Sequence, residues 1–305
     1  MFQTNKIAIL LATYNGEKYL KYQIDSILSQ SYTDWELFIH DDGSKDGTEK
    51  IIDNFCDKHP TKIHKIEGSS TGCARNNFFF LLRSVEAPFY MFCDQDDVWL
   101  EKKVENTYSE MKKLDDKKPN IVFTELKVVD SDLNVISESM SKYQKLDCHN
   151  TSVNRILIQN VCTGCTMMIN RTLRDEMIKA ESIDNIIMHD WWAALIASEF
   201  GNLHFIDEPQ ILYRQHGDNS VGAKNFGIKY IFSKFYKKEE IKKSLKDTEK
   251  QSKFFSETYR LNDCHLISQY GNLHNLNKIR HLYFYLSNNV LKNSFTRNIG
   301  LFIWG

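Results

Sequence analysis

Three carboxylates fall within four residues of CDQDDVWLEKKV, at Asp94, Asp96 and Asp97. Charges so close repel unless a cation joins them, and a hard divalent ion such as Mg²⁺ or Mn²⁺ takes oxygen ligands and shares its other sites with phosphate. On an extended chain Asp-x-Asp spacing puts Asp94 and Asp96 on one face, while Asp97 points elsewhere and suits the cap of a helix starting near Trp99. A solvated acidic turn with a helix cap is the other reading of the same residues. A second group, HDWW, sets Asp190 at the start of an apolar stretch beside His189, Trp191 and Trp192. Indoles that exclude water raise the basicity of a carboxylate, so Asp190 suits a general base, or else an N-cap beside two core tryptophans. Arg75 in GCARN offers a guanidinium that matches phosphate oxygens, or a surface helix cation. Tyr14 offers an aromatic face for a pyrimidine and Thr13 a hydroxyl, or the two form a core edge.

The surrounding pattern tells where these groups sit. KIAILLAT (6–13) is an apolar run without alternation, as in a strand covered on both faces. Leu20, Ile24, Ile27 and Leu28 then recur at helical spacing. WELFIHD (35–41) reads as a strand, DGTEKIIDNFCDK (46–58) as a helix, KIHKIE (62–67) as a short strand, CARNNFFFLLRSV as a helix and PFYMFC as a strand. Strands alternating with helices imply a parallel sheet with helices on its faces, which binds ligands at the carboxyl ends of its strands. TYN, HDDGS and CDQDD all fall there. Beyond residue 119 the pattern changes: NIVFTELKVVDSDLNVI predicts two strands around a turn at Asp130–Asp132, CTGCTMMIN (162–170) a strand, DWWAALIASEF (190–200) a helix and HFIDEPQILYR (204–214) strands around Pro209.

The ordered pieces ATYNGEKYLKYQIDSILSQSYTDWELFIHDDGSKDGT, GCARN, CDQDDVWLEKKV, TGCTMMINR, HDWW and YRQHGDNSVG resemble the inverting nucleotide-sugar glycosyltransferases of family 2, with the A-type (GT-A) fold. QDDVW, HDWW and YRQH are most similar to the bacterial branch that transfers rhamnose and related sugars into surface polysaccharides. The resemblance implies an α/β, Rossmann-like, mostly parallel central sheet flanked by helices. It implies a catalytic domain over 1–223, with a nucleotide-binding half (1–118) and an acceptor-binding half (119–223), followed by a helical extension (224–305). It implies that Thr13, Tyr14, Asn15, Glu17, Asp41, Asp42, Arg75, Asp94, Gln95 and Arg214 hold the donor. Asp42 would meet the base N–H, which suits uracil or thymine, and Asp41 would support it or the ribose. Asp96, with Asp94 and His216, would hold Mg²⁺ or Mn²⁺, and Arg214 would neutralise the leaving group. Asp190 would be the base, with Gly164, His189, Trp191 and Trp192 at the acceptor. A loop with Gly217 and Gly222 would order around the donor. Glu101, where many relatives have proline, is a neutral departure at a first helical turn.

Composition narrows the rest. A hydrophobic share of 42% supports a large core, and 4 Pro with 13 Gly leave little room for long disordered linkers. Seven cysteines with a lone CxxC at Cys162 and Cys165 fit reduced thiols in a cytoplasmic protein. No apolar run approaches a membrane span. The net charge of −1 hides an asymmetry: residues 224–305 carry 15 Lys+Arg against 6 Asp+Glu. That stretch, with Phe226, Tyr230, Phe232, Phe235 and Tyr236 among lysines, reads as basic amphipathic helix. It suits peripheral contact with the inner face of a bacterial membrane, a homodimer partner, or packing on the catalytic part; nucleic acid is not expected. The expected reaction moves a sugar, L-rhamnose from dTDP-L-rhamnose first and a UDP-hexose second, onto a glycan acceptor that is lipid-linked. A nucleotidyltransferase would need a Gly-rich phosphate loop after the first strand, which TYNGEKY is not, and intact Asp94, Asp96 and Asp190 argue against an inactive sugar-binding module.

Overall fold

The computed structural model describes residues 6–216 and 238–304. The chain runs β1 (Ile7–Thr13), α1 (Leu20–Leu28), β2 (Trp35–Asp41), α2 (Thr48–Lys58), β3 (Ile63–Lys65), α3 (Ala74–Ser84), β4 (Phe89–Cys93), β5 (Val98–Trp99) and α4 (Lys103–Met111). It continues with β6 (Asn120–Val129), β7 (Val135–Ser137), α5 (Met140–Gln144), α6 (Val153–Ile156), β8 (Met167–Asn170), α7 (Arg171–Met177), α8 (His189–Phe200) and β9 (Asn202–Arg214). After the undescribed stretch come α9 (Lys238–Thr258), α10 (Leu266–Gly271), α11 (Lys278–Ser287) and α12 (Phe295–Trp304).

The strands form one mixed sheet in the order β3-β2-β1-β4-β8-β6-β9-β5, with β7 beside β6. Its first four strands are parallel, and β1 is buried along nearly its whole length because helices cover both faces. Thr13 pairs with Asp41 and Leu11 with Cys93, so the loops after β1, β2 and β4 open at one edge. The parallel order ends at β8, which runs antiparallel to β4 with Met168 opposite Met91. Continuing that register sets Cys165 opposite Asp94, which is how the TGC turn comes to lie against the acidic loop. At the far edge β5 pairs antiparallel with β9, Val98 opposite Leu212, which delivers Arg214 and His216 to Asp96 and Asp97.

Three local expectations change. The helix after the acidic triplet starts at Lys103 rather than near Trp99, because Val98 and Trp99 are drawn into the sheet by β9. Asp97 therefore caps no helix. Only the last four residues of CTGCTMMIN are strand; Gly164–Thr166 form a 3₁₀ turn. Residues 202–214 make one strand, with the register against β6 shifting between Ile206 and Pro209, a bulge that accommodates the missing N–H.

Of the expectations for the tail, packing on the rest of the chain is what the described part shows. Leu245, Phe255, Ile267, Tyr270, Phe284, Tyr285 and Leu301 join one core with Phe78, Phe92 and Trp192. Gly217, Gly222 and the lysine-aromatic run to residue 237 lie outside the described residues. No helix among the described residues is long and apolar enough to cross a membrane. All seven cysteines are free thiols.

Candidate functional site

The donor side is built from loops that brace each other. Asn15, at φ 49°, donates its N–H to Ser44 Oγ and accepts at its side-chain oxygen from Lys45 N–H. Glu17 accepts from Gly47 N–H at 2.9 Å. Both residues thus clip the first loop to the second. Gln95 accepts from Thr13 Oγ1 (2.6 Å) and Tyr14 N–H (2.9 Å) and donates to Tyr14 carbonyl (3.0 Å), tying the acidic loop to the end of β1. Tyr14 stays 54% exposed, with its ring available for stacking. Asp41 accepts from Gly43 and Ser44 amides, the turn geometry its sequence allowed. Asp42 is buried at the head of the cleft and accepts from Ser70 Oγ and from Thr71 and Gly72 amides. Arg75 donates to Ile186 carbonyl at 2.6 Å and so links α3 to the segment leading into α8.

At the rim, His216 Nε2 and Asp96 Oδ2 are 2.8 Å apart, and Tyr19 lies against both the His216 ring (4.9 Å) and the Arg214 guanidinium (4.5 Å). Arg214, 3% exposed, donates through its amide to Asp97 Oδ1 (3.1 Å), through Nε to Asp96 carbonyl (2.9 Å) and through Nη1 to Ser131 carbonyl. These contacts make it a strut that holds the acidic loop in shape. Ligand atoms of Asp94, Asp97 and Cys165 lie within 4.8 Å of one another. Burial, then Asp96, then Asp190 push the Asp94 carboxyl up to about 7, and burial with Asp96 and Asp94 raises Asp97 well above the usual carboxylate range. Burial, Asp97 and Asp94 also push the Cys165 thiol far above its ordinary range, and it serves Asp94 and Asp97 as a hydrogen-bond donor. At the rim the Asp96 carboxylate and the His216 imidazole, 2.8 Å apart, suit Mn²⁺ and the carboxylate suits Mg²⁺, while Asp94 groups with Asp97 and Cys165.

Asp190 sits in the first turn of α8. Its Oδ2 accepts from Gly164 N–H (3.1 Å) and its Oδ1 from Trp191 N–H (2.6 Å). Burial raises its carboxyl to about 6, and those two amides oppose the rise. The charge of Asp190 is also felt at Asp94, and the 163–166 turn touches both sides, Gly164 N–H on Asp190 and Cys165 within 4.8 Å of Asp94 and Asp97. Gly164 is small by necessity: a Cβ there would meet His189 Nε2 at 2.8 Å.

The acceptor group needs correction. Trp192 is fully buried among Phe254, Phe255 and Tyr259, because two residues along a helix turn it away from Asp190, and it cannot stack on a sugar. His189 is buried between Phe78 and Phe92, 4.1 and 4.7 Å between ring centres, and burial drops its imidazole to about 3, so it is a neutral packing group. Trp191 is half-buried and donates its indole N–H to Ile156 carbonyl at 2.6 Å, which fixes it as a wall beside Asp190. The sequence reading passed over Cys165 as a coupling residue, Tyr19 as a platform, and Lys103. Lys103 is wholly buried behind the acidic loop, its Nζ 3.7 Å from the Trp99 ring centre, and burial lowers it to about 7. Helical periodicity places Lys103 and Tyr19 correctly in sequence but says nothing of which strand end they meet.

Residues 8–177 match the family model described as Glycosyl transferase family 2. Over 250 residues the chain is 31% identical to the dTDP-rhamnosyl transferase RfbG of Shigella flexneri, an alignment covering 76% of this chain and 82% of that one. Among solved structures, S. aureus TarS 1–349 in complex with UDP is similar at a TM-score of 0.55 and 14% identity, over 91% of this chain and 74% of that one. The mannosyltransferase PcManGT from Pyrobaculum calidifontis, in complex with GDP-Man and Mn²⁺, is similar at 0.52 and 13% identity, over 97% and 73%. These two likenesses carry the fold: the sheet and its helices are those of GT-A glycosyltransferases.

Proposed function

The chain belongs to glycosyl transferase family 2, and from that premise we propose that it transfers L-rhamnose from dTDP-L-rhamnose to a lipid-linked glycan in surface polysaccharide synthesis, with inversion and with a divalent metal. The observation that carries the proposal is the 163–166 turn, which sets the Asp190 carboxylate, held by Gly164 N–H, beside the acidic group of Asp94 and Asp97, reached by Cys165. Similarity to a dTDP-rhamnosyl transferase supports the donor. The Asp42 carboxylate suits the imide N–H of thymine and equally of uracil, so a UDP-hexose donor is the second reading.

In this reading Tyr14 stacks on the base and Asp42 accepts its N–H. Asp96 and His216, with Asp94, would hold Mg²⁺ or Mn²⁺, which would supply positive charge to neutralise the diphosphate. Asp190 Oδ takes the proton of the acceptor hydroxyl as that oxygen bonds to the anomeric carbon and the sugar–diphosphate bond breaks. Arg75, beside Cys73 and Asn76 at the start of α3, reaches the sugar or diphosphate. Trp191 and the Gly164 turn frame the acceptor.

Thermal-shift titration with dTDP-rhamnose, UDP-galactose, UDP-glucose and UDP-GlcNAc, with and without Mn²⁺, tests the donor; a bound ligand raises the melting temperature by mass action. Asp190→Asn should keep the donor shift while transfer falls roughly 10²–10⁴-fold, the range for loss of a general base. No shift with any nucleotide sugar, or full transfer by Asp190→Asn, would refute the reading.

A further inference from the structure

Helix α11 turns an apolar stripe outward. Ile279, Leu282, Tyr283 and Leu286 follow helical i, i+3, i+4, i+7 spacing, with Ile279 81% and Tyr283 73% exposed. Helix α12 adds Phe295 at 79% and Ile303. Lys278 Nζ donates to Ile303 carbonyl, so the start of α11 lies beside the end of α12, and residues 288–294 join their other ends. The two helices form an antiparallel hairpin whose inner residues, Phe284, Tyr285 and Leu301, enter the core.

Charge separates the candidate occupants of this face. From Cys264 to Gly305 the chain holds Lys278, Arg280, Lys292 and Arg297 and no Asp or Glu. Lys278 and Arg280 are exposed on either side of Ile279. A second copy meeting the face symmetrically would set these cations against their own images, with no acid of the hairpin to answer them. An anionic lipid surface answers both features, taking apolar side chains at the acyl boundary and cations at the headgroups. We propose that the α11–α12 hairpin docks on an anionic membrane surface.

The hairpin is tied to the acceptor wall. Arg297 donates to the carbonyls of Gln144 (2.6 Å) and Lys145 (2.9 Å), and Arg155 donates to Leu291 carbonyl (2.9 Å) and Asn289 Oδ1 (3.1 Å). The next residue, Ile156, accepts the Trp191 indole N–H beside Asp190. Docking would therefore hold the base at a set position relative to the lipid surface. Only this last point rests on the proposed lipid-linked acceptor.

Co-sedimentation of the full chain with sucrose-loaded vesicles tests the surface, using phosphatidylcholine alone or mixed equally with phosphatidylglycerol. The chain is expected to pellet with the anionic vesicles and to remain in the supernatant with phosphatidylcholine. Ile279→Ser/Tyr283→Ser/Leu286→Ser should lose binding roughly tenfold or more, and Lys278→Gln/Arg280→Gln about fivefold per cation. All five side chains are exposed, so both variants should melt and hydrolyse donor as wild type does. The inference fails if wild type ignores anionic vesicles or if the apolar variant pellets as well as wild type. It fails too if wild type is a dimer by light scattering that the apolar variant splits. Vesicle binding without any donor hydrolysis would leave this surface standing and strike the proposed function instead.

Discussion

Gly164→Ala should damage the base without touching the donor. The residue is not in the left-handed region, so alanine meets no backbone strain and the effect is steric. The new Cβ would sit 2.8 Å from His189 Nε2, about 0.6 Å inside the 3.4 Å at which ordinary contact begins. His189 cannot swing away, being clamped between Phe78 and Phe92, so the 163–166 turn must move. The Gly164 N–H to Asp190 Oδ2 bond, already 3.1 Å, then leaves hydrogen-bonding range. Without that tether the Asp190 carboxylate loses its orientation, and a misplacement of about 1 Å costs roughly 10²-fold in the transfer rate. The sign for pH follows from the same bond. In the proposed reading Asp190 acts as the base in its ionised form, so kcat/KM should climb with pH through about 6 and level off above. The Gly164 amide favours the ionised form, and its removal shifts the acidic limb to higher pH. Steady-state transfer from pH 5 to 8 and calorimetric donor titration measure both effects. An unchanged kcat with an unmoved acidic limb would refute the reasoning, as would a fall in donor affinity that matches the fall in rate.

Lys103→Met should stabilise the protein by about 1–4 kcal/mol near neutral pH, because a buried ammonium is replaced by a group of similar length. Folding lowers the Lys103 pKa from 10.5 to about 7, so the unfolded chain binds the extra proton between those values and the cost of the charge fades as pH rises. The melting-temperature gain should be larger at pH 6.5 than at pH 9.5; equal gains would contradict the assignment. Arg214→Lys keeps a charge but removes the planar fork that reaches Asp96 and Ser131 carbonyls, and Mn²⁺ affinity by titration should fall roughly tenfold while UDP or dTDP binding without metal holds.

Much of the donor half was legible because its signals are local. IAILLAT and FYMFC are unbroken apolar runs, and the loops after them carry TYN and CDQDD, so alternation of strand and helix alone places those loops at one edge. Asp190 at a helix start was legible for the same reason. What escaped was whatever depended on long-range pairing. Asp97 looked like a cap until β9 drew Val98 and Trp99 into the sheet and presented Arg214 to it. Trp191 and Trp192 look alike in sequence, yet helical rotation gives one to the cleft and the other to the core. Cys165 read as half of a CxxC, and only the antiparallel register of β8 against β4 shows that it faces Asp94.

The short bend at 163–166 leans on both sides of the reaction: its amide steadies one reactant's partner while its sulfhydryl rests on the carboxylates that serve the other. Wiring of this kind makes Cys165, the member of the bend that rests on Asp94 and Asp97, a poor place to engineer a new acceptor preference, since a change of its side chain would be felt as a shift in metal loading. Variation that leaves the donor chemistry alone should be sought on the opposite wall, around residues 150–160, which meets the helix of Asp190 at the Trp191 indole.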